Sequence, residues 1–169
     1  MAITHLSVIT PATTKFDGDV TLVIAPGTAG DLGALAQHAP LLTTMRVGVV
    51  KANAAVKVGA VAKAGAADKP DAEVSEAIVG EAVAAADATL SRIEFAVDGG
   101  FMEVLPDKVI ILTDAALSRD EIDIEATRAE LRRAEEALAQ KRGADDAAER
   151  RAVAWANAKL EVRRVPKVE

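Results

Sequence analysis

The sequence has no cysteine and no tyrosine, and aromatic residues make up only 2% of its 169 positions. Without cysteine the chain cannot form a disulfide, a thiolate metal site or a cysteine nucleophile. Since 50% of the residues are nonetheless apolar, we predict a core built from Val, Ile, Leu and Ala. A chain of this length can bury one domain and a small appended element.

Long uncharged apolar runs are also missing. The first residues lack the basic and apolar segments of a signal peptide, and no stretch reaches the roughly 18 apolar residues that a membrane-spanning helix needs. We therefore expect a soluble intracellular protein with no direct membrane insertion.

Basic residues are scarce in the first two thirds of the chain. The net charge is −6, because residues 1–115 carry 8 Lys and Arg against 14 Asp and Glu while residues 116–169 carry 12 of each. Nucleic-acid binding requires a basic surface. This distribution therefore argues against a nucleic-acid partner.

The spacing of apolar residues changes near residue 115. Before it, short runs rich in β-branched residues are separated by Gly and Pro turns, for example at 98–100, which is typical of a β-sandwich or barrel. After it, Ala, Glu, Arg and Leu predominate and favour helices. We predict a β domain over residues 1–115 and an antiparallel two-helix hairpin over residues 116–169.

Two cap signals accompany the predicted helices. Ser118 and Glu121 match a capping box at the start of the first helix, and Gly143 matches a helix end. Residues 52–92 break the strand pattern, because they are dominated by alanine. We interpret them as an insertion into the β domain that contains one amphipathic helix, from Val74 to Leu90.

Glycines and histidines do not form a catalytic motif. Gly27, Gly30 and Gly33 are spaced G-x-x-G-x-x-G, unlike the dinucleotide fingerprint, and no Lys-Ser/Thr follows to complete a phosphate loop. His5 and His38 are the only histidines, and no nucleophile motif accompanies them. We therefore predict a non-catalytic binding protein without metal or cofactor. A nucleotide-binding enzyme that uses this glycine loop is the rival hypothesis.

Two segments resemble the epsilon subunit of F-type ATP synthases. Residues 30–50, GDLGALAQHAPLLTTMRVGVV, are similar to that family's G-[DE]-L-G-x-L-P-G-H-A-P-L segment. Residues 95–116, FAVDGGFMEVLPDKVIILTDAA, are similar to its F-[AY]-V-S-G-G-F-x-E-V-x-P segment. The resemblance implies a mostly β plus α fold, in which a ten-strand β-sandwich precedes a two-helix hairpin.

The same resemblance implies a function and a location. The chain would be a non-catalytic central-stalk subunit of a proton-translocating ATP synthase, peripheral at the cytoplasmic face of the bacterial inner membrane. The sandwich would bind the gamma subunit and the c-ring, and the helices would regulate ATP hydrolysis at the alpha and beta subunits. A purely structural stalk clamp without regulation stays open as an alternative.

Site residues follow from the matched motifs. In the family the residue that corresponds to Asp31 faces the c-ring, so Asp31 is the candidate to pair with a basic c-subunit side chain, with His38 beside it on the same loop. The plainer interpretations are a solvated turn carboxylate for Asp31 and a side chain that closes its own turn for His38.

The chain departs from the family pattern at two positions. Gln37 stands where the family has glycine, so a positive φ there would strain the backbone by about 1 kcal/mol. Asp98 replaces the family's serine before Gly-Gly.

The helical tail holds two further candidate sites. Glu125 and Arg128 resemble part of an ATP-sensing motif of some epsilon subunits, with Glu in place of Asp, so weak ATP binding and an ordinary exposed helix pair are both open. In the second helix, residues at i+4 spacing form a basic stripe around one aromatic: Arg151, Trp155, Lys159 and Arg163. The stripe resembles the family's inhibitory helix. The alternative is a solvated face with Trp155 packing the hairpin.

Overall fold

The computed structural model of the chain describes residues 2–54, 91–141 and 146–164. These residues form seven strands, a short 3-10 turn and two helices. The elements are β1 (Thr4–Ile9), β2 (Thr14–Gly27), β3 (Gly30–Ala34), β4 (Leu41–Ala54), β5 (Ser91–Val104), β6 (Lys108–Leu112), β7 (Ala116–Ser118), the turn Arg119–Glu121, α1 (Ile124–Gln140) and α2 (Ala147–Arg164).

The strands pair in the order β1-β6-β5-β4-β2-β3, with β7 beside β5. Strand β1 pairs with β2 as well as with β6, so the order β1-β6-β5-β4-β2 closes on itself. Only the β1–β6 pair is parallel among the described strands. Three strands are 14 residues long, and two of them, β2 and β5, change partners on one side along their length.

The predicted count of ten strands is therefore not observed, since the described residues form seven. The clearest difference is at residues 98–100, where we expected a turn between two strands. The structure has one continuous strand there, β5. Gly99 and Gly100 have φ values of +74° and +118°, which glycine adopts without strain. Phe95 and Val97 point into the core before these glycines, while Met102 and Val104 do so after them.

This shift of the inward face from odd to even positions breaks the two-residue period. A sequence pattern with such a break resembles two strands joined by a turn. Strand β5 accordingly pairs with β7 before the glycines and with β6 after them.

The core is aliphatic, as predicted. Its largest fully buried side chains include Leu6, Met102 and Ile111. The one aromatic pair, Phe16 with Phe95, has ring centroids 6.2 Å apart.

The sheet extends into both ends of the region interpreted as an insertion. Residues 52–54 complete β4 and residues 91–92 begin β5, with Asn53 opposite Arg92. In β4, Ala52 is buried and Asn53 only partly so. This is the alternation of a strand, in which alanine occupies the buried positions. The rest of the proposed insertion, including the helix expected at 74–90, lies outside the described residues.

The first helix begins later than predicted. Glu121 accepts hydrogen bonds from the backbone N and the Oγ of Ser118, both at 2.9 Å, but this capping box closes only the 3-10 turn. Helix α1 starts at Ile124, where the Asp123 side chain accepts from the backbone N of Ala126 at 3.1 Å. Gly143, the expected helix end, lies outside the described residues.

The two helices contact each other, and α2 also packs on the sheet. Ion pairs join Lys141, after the end of α1, to Glu149 near the start of α2 at 2.6 Å, and Glu130 in the first half of α1 to Lys159 in the second half of α2. The two helices are therefore antiparallel. Neither described helix carries an apolar stretch long enough to cross a membrane.

A small apolar cluster, here called the docking cluster, holds α2 against the sheet. It joins residues of β4, β5 and α2 and one residue before α1: Val49, Ala96, Ile122, Ala158 and Val162. Val47, Leu117 and Trp155 pack around it.

Candidate functional site

The glycine loop is a tight β-hairpin. Gly27 pairs with Gly30 across a two-residue connection, and Pro26 pairs with Asp31. A Cβ on Gly27 would lie 2.7 Å from the Gly30 carbonyl oxygen, so only glycine fits this close approach. The loop leads into strand β3 and not into a helix, so it offers no helix N-terminus for a phosphate. This geometry argues against the nucleotide-cradle hypothesis.

Asp31 lies at the start of β3 and already has a partner within the chain. Its Oδ1 accepts a hydrogen bond from Arg46 on β4 at 2.6 Å, and the two side chains are 61% and 52% exposed. Such an exposed pair contributes about 0–1 kcal/mol. A basic group of another subunit would therefore compete with Arg46 for a carboxylate that is still open to solvent.

His38 closes the turn that precedes β4. Its backbone N donates to the Leu35 carbonyl at 3.2 Å, and its Nδ1 lies 2.8 Å from the Ala39 carbonyl oxygen. Because a carbonyl only accepts, Nδ1 carries the proton and Nε2 is the nitrogen left for another group. Neighbouring Gln37, which stands where the resembled family has glycine, has a positive φ of 62°, so the strain considered for this position applies.

Three large apolar side chains are exposed on the outer face of neighbouring strands. Leu42 on β4, Phe101 on β5 and Leu112 on β6 are 72%, 53% and 49% exposed. Phe101 pairs with Leu112 and, on its other side, with Thr44. We call these three residues the sheet patch. Our sequence reasoning missed it, although Phe101 beside buried Met102 puts large apolar residues on both faces of β5, which is an available signal.

The residues of the predicted α2 stripe make contacts within the chain. Lys159 is 7% exposed; its ammonium contacts the Glu130 carboxylate and lies 5.5 Å from the centroid of the Trp155 ring. Trp155 packs beside the docking cluster.

The two arginines of the stripe are also engaged. Arg163 donates to the Arg119 carbonyl at 3.3 Å. Arg151 donates from Nε to Asp98 Oδ1 at 3.0 Å and from a terminal nitrogen to the Asp98 carbonyl at 3.1 Å. The hydrogen bond with Asp98 raises the pKa of Arg151 above its ordinary value. The face predicted to bind a partner is therefore the face that docks on this chain's own sheet and on α1.

Glu125 and Arg128 pair with each other at 3.3 Å, and their side chains are 85% and 59% exposed. This is the ordinary helix pair of the plainer interpretation. An open groove of about 450 Å³ lies at the start of α1. Carboxylates dominate its lining, which comprises Asp120, Glu121, Ile122, Asp123, Ile124, Glu125 and Arg163. Such a lining repels the phosphates of a nucleotide.

A charged cluster on β1 and β2 was not predicted. His5 Nδ1 lies 3.0 Å from Asp19 and its Nε2 lies 3.0 Å from Asp17, while Ser7 donates to Asp17 at 2.9 Å. Both ring nitrogens face carboxylates, which accept only, so the geometry selects the imidazolium. The hydrogen bond with Asp19, aided by Asp17, raises the pKa of His5 above 6.5. No group of His, Cys, Asp and Glu in the described part of the chain is arranged to hold a metal ion.

Comparisons with known proteins agree with the resemblance seen in the sequence. A family model of the ATP synthase delta/epsilon chain β-sandwich domain matches residues 3–75. The chain is 34% identical to the ATP synthase epsilon chain of Pelotomaculum thermopropionicum over 81% of its own length and 77% of that relative. It is 36% identical to the ATP synthase epsilon chain of Moorella thermoacetica over 91% of its own length and 94% of that relative.

Two solved structures share the fold. One is a chain of the Euglena gracilis mitochondrial ATP synthase, in a structure of OSCP, F1 and c-ring; the TM-score is 0.66 at 16% identity, over 95% of this chain and 81% of that one. The other is a chain of the Tetrahymena thermophila mitochondrial ATP synthase, in a structure of central stalk and c-ring; the TM-score is 0.51 at 13% identity, over 95% and 96%. At these identities the likeness concerns the fold alone.

Proposed function

Since the chain belongs to the family of ATP synthase epsilon chains, we propose that it is a non-catalytic central-stalk subunit of a proton-translocating F-type ATP synthase, where it joins the gamma subunit to the c-ring. The related structures come from assemblies of F1 with a c-ring and of a central stalk with a c-ring. The expected location is the cytoplasmic face of the bacterial inner membrane, with the protein peripheral to it.

The sheet patch is the surface that we assign to gamma. Leu42, Phe101 and Leu112 lie on three adjacent strands and are each about half exposed or more. Large apolar side chains clustered on a rigid sheet mark protein interfaces. Leu42→Ser and Phe101→Ser should each weaken binding to the cognate gamma subunit by about 1–2 kcal/mol. Leu35→Ser is the matched control, because Leu35 is 57% exposed but lies in a turn. Unchanged affinity of both sheet variants would remove the assignment.

Asp31 is the residue that we assign to the c-ring. Its carboxylate is exposed beside a tight hairpin turn and pairs with Arg46 within the chain. Because Arg46 competes for the same carboxylate, Arg46→Gln should strengthen coupling to a basic c-subunit group or leave it unchanged, whereas Asp31→Asn should weaken it. Proton-driven ATP synthesis by the reconstituted enzyme distinguishes the two variants. Equal effects of both would show that the intramolecular pair matters and the c-ring contact does not.

The helices form the regulatory part of the proposal. The observation that carries it is that the α2 stripe makes the docking contacts: Arg151 binds Asp98, Lys159 contacts Glu130, and Trp155 packs at the docking cluster. While α2 is docked, these contacts within the chain compete with binding of the stripe to the alpha and beta subunits. We infer that docked α2 permits ATP hydrolysis and that released α2 inhibits it, since a change of state requires differential contacts.

A cross-link tests this inference directly. The chain has no cysteine, so Lys51→Cys with Glu161→Cys, at positions whose side chains meet at 2.8 Å, offers one unique site for a short bis-maleimide. The cross-linked chain should bind the cognate alpha, beta and gamma core without inhibiting hydrolysis, while each single-cysteine variant, capped with maleimide, should inhibit as the natural chain does. Equal inhibition by the cross-linked chain contradicts the switch, and no inhibition by any form indicates a structural clamp.

A further inference from the structure

Among the described residues, Arg151 makes its hydrogen bonds to the sheet with Asp98. Two guanidinium nitrogens reach the side chain and the main chain of Asp98 at 3.0 and 3.1 Å. The nearest second carboxylate, Asp114, is 3.9 Å away and 85% exposed, so it contributes little. Two hydrogen bonds from one guanidinium, one of them to a carboxylate, are stronger and more directional than a single exposed ion pair.

The backbone around Asp98 is held from two sides. Its N donates to the Ala115 carbonyl at 3.1 Å, and it pairs with Val47 on β4. Gly99, the next residue, has φ = 74°. The Asp98 side chain is consequently presented from a rigid position and is only 23% exposed. The sequence pattern that this chain resembles has serine here, and an uncharged, shorter hydroxyl cannot make the same pair.

The remaining contacts of α2 with the sheet are one partly exposed ion pair, Lys51 with Glu161 at 2.8 Å, and the docking cluster. The docking cluster receives only Ala158 and Val162 from α2, with Trp155 at its edge. Short aliphatic side chains bury little area. Arg151 lies one helical turn before Trp155, so its bond with Asp98 is the contact that extends docking toward the start of α2.

We propose that Asp98 and Arg151 form a latch that sets the ratio of docked to released α2 in this chain; its regulatory meaning rests on the proposed function. Arg151 also belongs to the stripe that released α2 would present to the alpha and beta subunits. Its guanidinium therefore binds either Asp98 in the docked state or a partner subunit in the released state. The substitution of aspartate for serine therefore biases this chain toward the docked state.

Hydrogen exchange of the full chain tests the latch without its partners. In Asp98→Ser, amides of α2 should exchange about threefold to tenfold faster, the range expected when a partly exposed charged pair is lost. Amides of the buried core strands should exchange at unchanged rates. Arg151→Gln should have at least the same effect, because it also loses the bond to the Asp98 carbonyl, and the double variant should match Arg151→Gln alone.

Arg150→Gln is the matched control. It makes the same change one residue earlier, at a side chain that is 71% exposed and pairs with Asp146, directly before the start of α2, and it should leave exchange at Trp155 and beyond unchanged. Equal acceleration in core strands and α2, or additive effects in the double variant, overturns the latch. Asp98→Ser and Arg151→Gln could accelerate exchange in α2 as expected while neither changes inhibition of ATP hydrolysis by the cognate core. In that case the latch stands and the regulatory role fails.

Discussion

The contact between Lys159 and Glu130 leads to an asymmetric prediction. Lys159 is 7% exposed, and its ammonium is held by the Glu130 carboxylate and by the face of Trp155, 5.5 Å from the ring centroid. Glu130→Gln leaves the buried ammonium without its counter-charge. Lys159→Met removes the charge itself and keeps a side chain of similar length that packs in the same space.

The magnitude follows from how far water reaches the pair. Breaking a fully buried pair from one side costs about 3–5 kcal/mol. The Glu130 side chain is 54% exposed, so solvent compensates part of the loss and we expect Glu130→Gln to cost about 1–2 kcal/mol. Lys159→Met should change stability by less than about 0.5 kcal/mol. The attraction of the pair is lost, but the unfavourable free energy of removing the ammonium from water is lost with it.

Urea unfolding followed by far-UV circular dichroism measures these differences. The double variant should resemble Lys159→Met, since the glutamine then faces no charge. Glu136→Gln, on an exposed position of α1, controls for the change in net charge. The reasoning is refuted if Lys159→Met destabilises the chain as much as Glu130→Gln does, because the pair would then be worth more than its desolvation.

Further predictions concern the backbone and the charged cluster. Gly100→Ala should cost more than about 3 kcal/mol in urea unfolding, because φ is +118° and the new Cβ would overlap the Leu112 carbonyl oxygen. Gln37→Asn should stabilise the chain by about 0.5 kcal/mol, since Asn tolerates the φ of 62° without the chain entropy of glycine; a loss of stability contradicts this. The pKa of His5 is raised in the folded chain by Asp19 and Asp17, so its stabilising effect is complete below pH 6.5 and is lost as the pH rises through the folded pKa. His5→Gln should therefore lower the free energy of unfolding more at pH 6 than at pH 8.5, which urea titrations at both pH values measure.

The sequence predicted that the first part of the chain forms strands and the last part helices, because the spacing of apolar residues and the local composition carry that information. Strand-like runs precede residue 115 and helical composition follows it, and the structure has strands on one side and α1 and α2 on the other. The boundary itself was less accurate. Residues 116–118 still form β7, and the first cap signal, Ser118 with Glu121, serves a 3-10 turn. Capping motifs indicate where a backbone turns but not whether an α-helix begins at once.

The sequence named candidate residues, but it did not indicate their partners within the chain. The motif pointed to Gln37 as a position where φ could be positive, because a motif glycine constrains the backbone of one residue, and the structure has φ = 62° there. The Arg46 partner of Asp31 was not predicted, since 15 residues separate the two in the chain and only the pairing of strands brings them together. The sheet patch was missed for a similar reason, because exposure depends on what covers each face of the sheet.

By itself the sequence determined the aliphatic core, the change from strands to helices and the family, since these depend on composition, period and motif. Only the tertiary structure decided that β5 continues through Gly99 and Gly100 and that the α2 stripe faces inward. A helical spacing of four residues defines a stripe but not the direction in which it points. That direction is set by long-range contacts such as the bond of Arg151 with Asp98, 53 residues away in the chain, and no local pattern carries such a pairing.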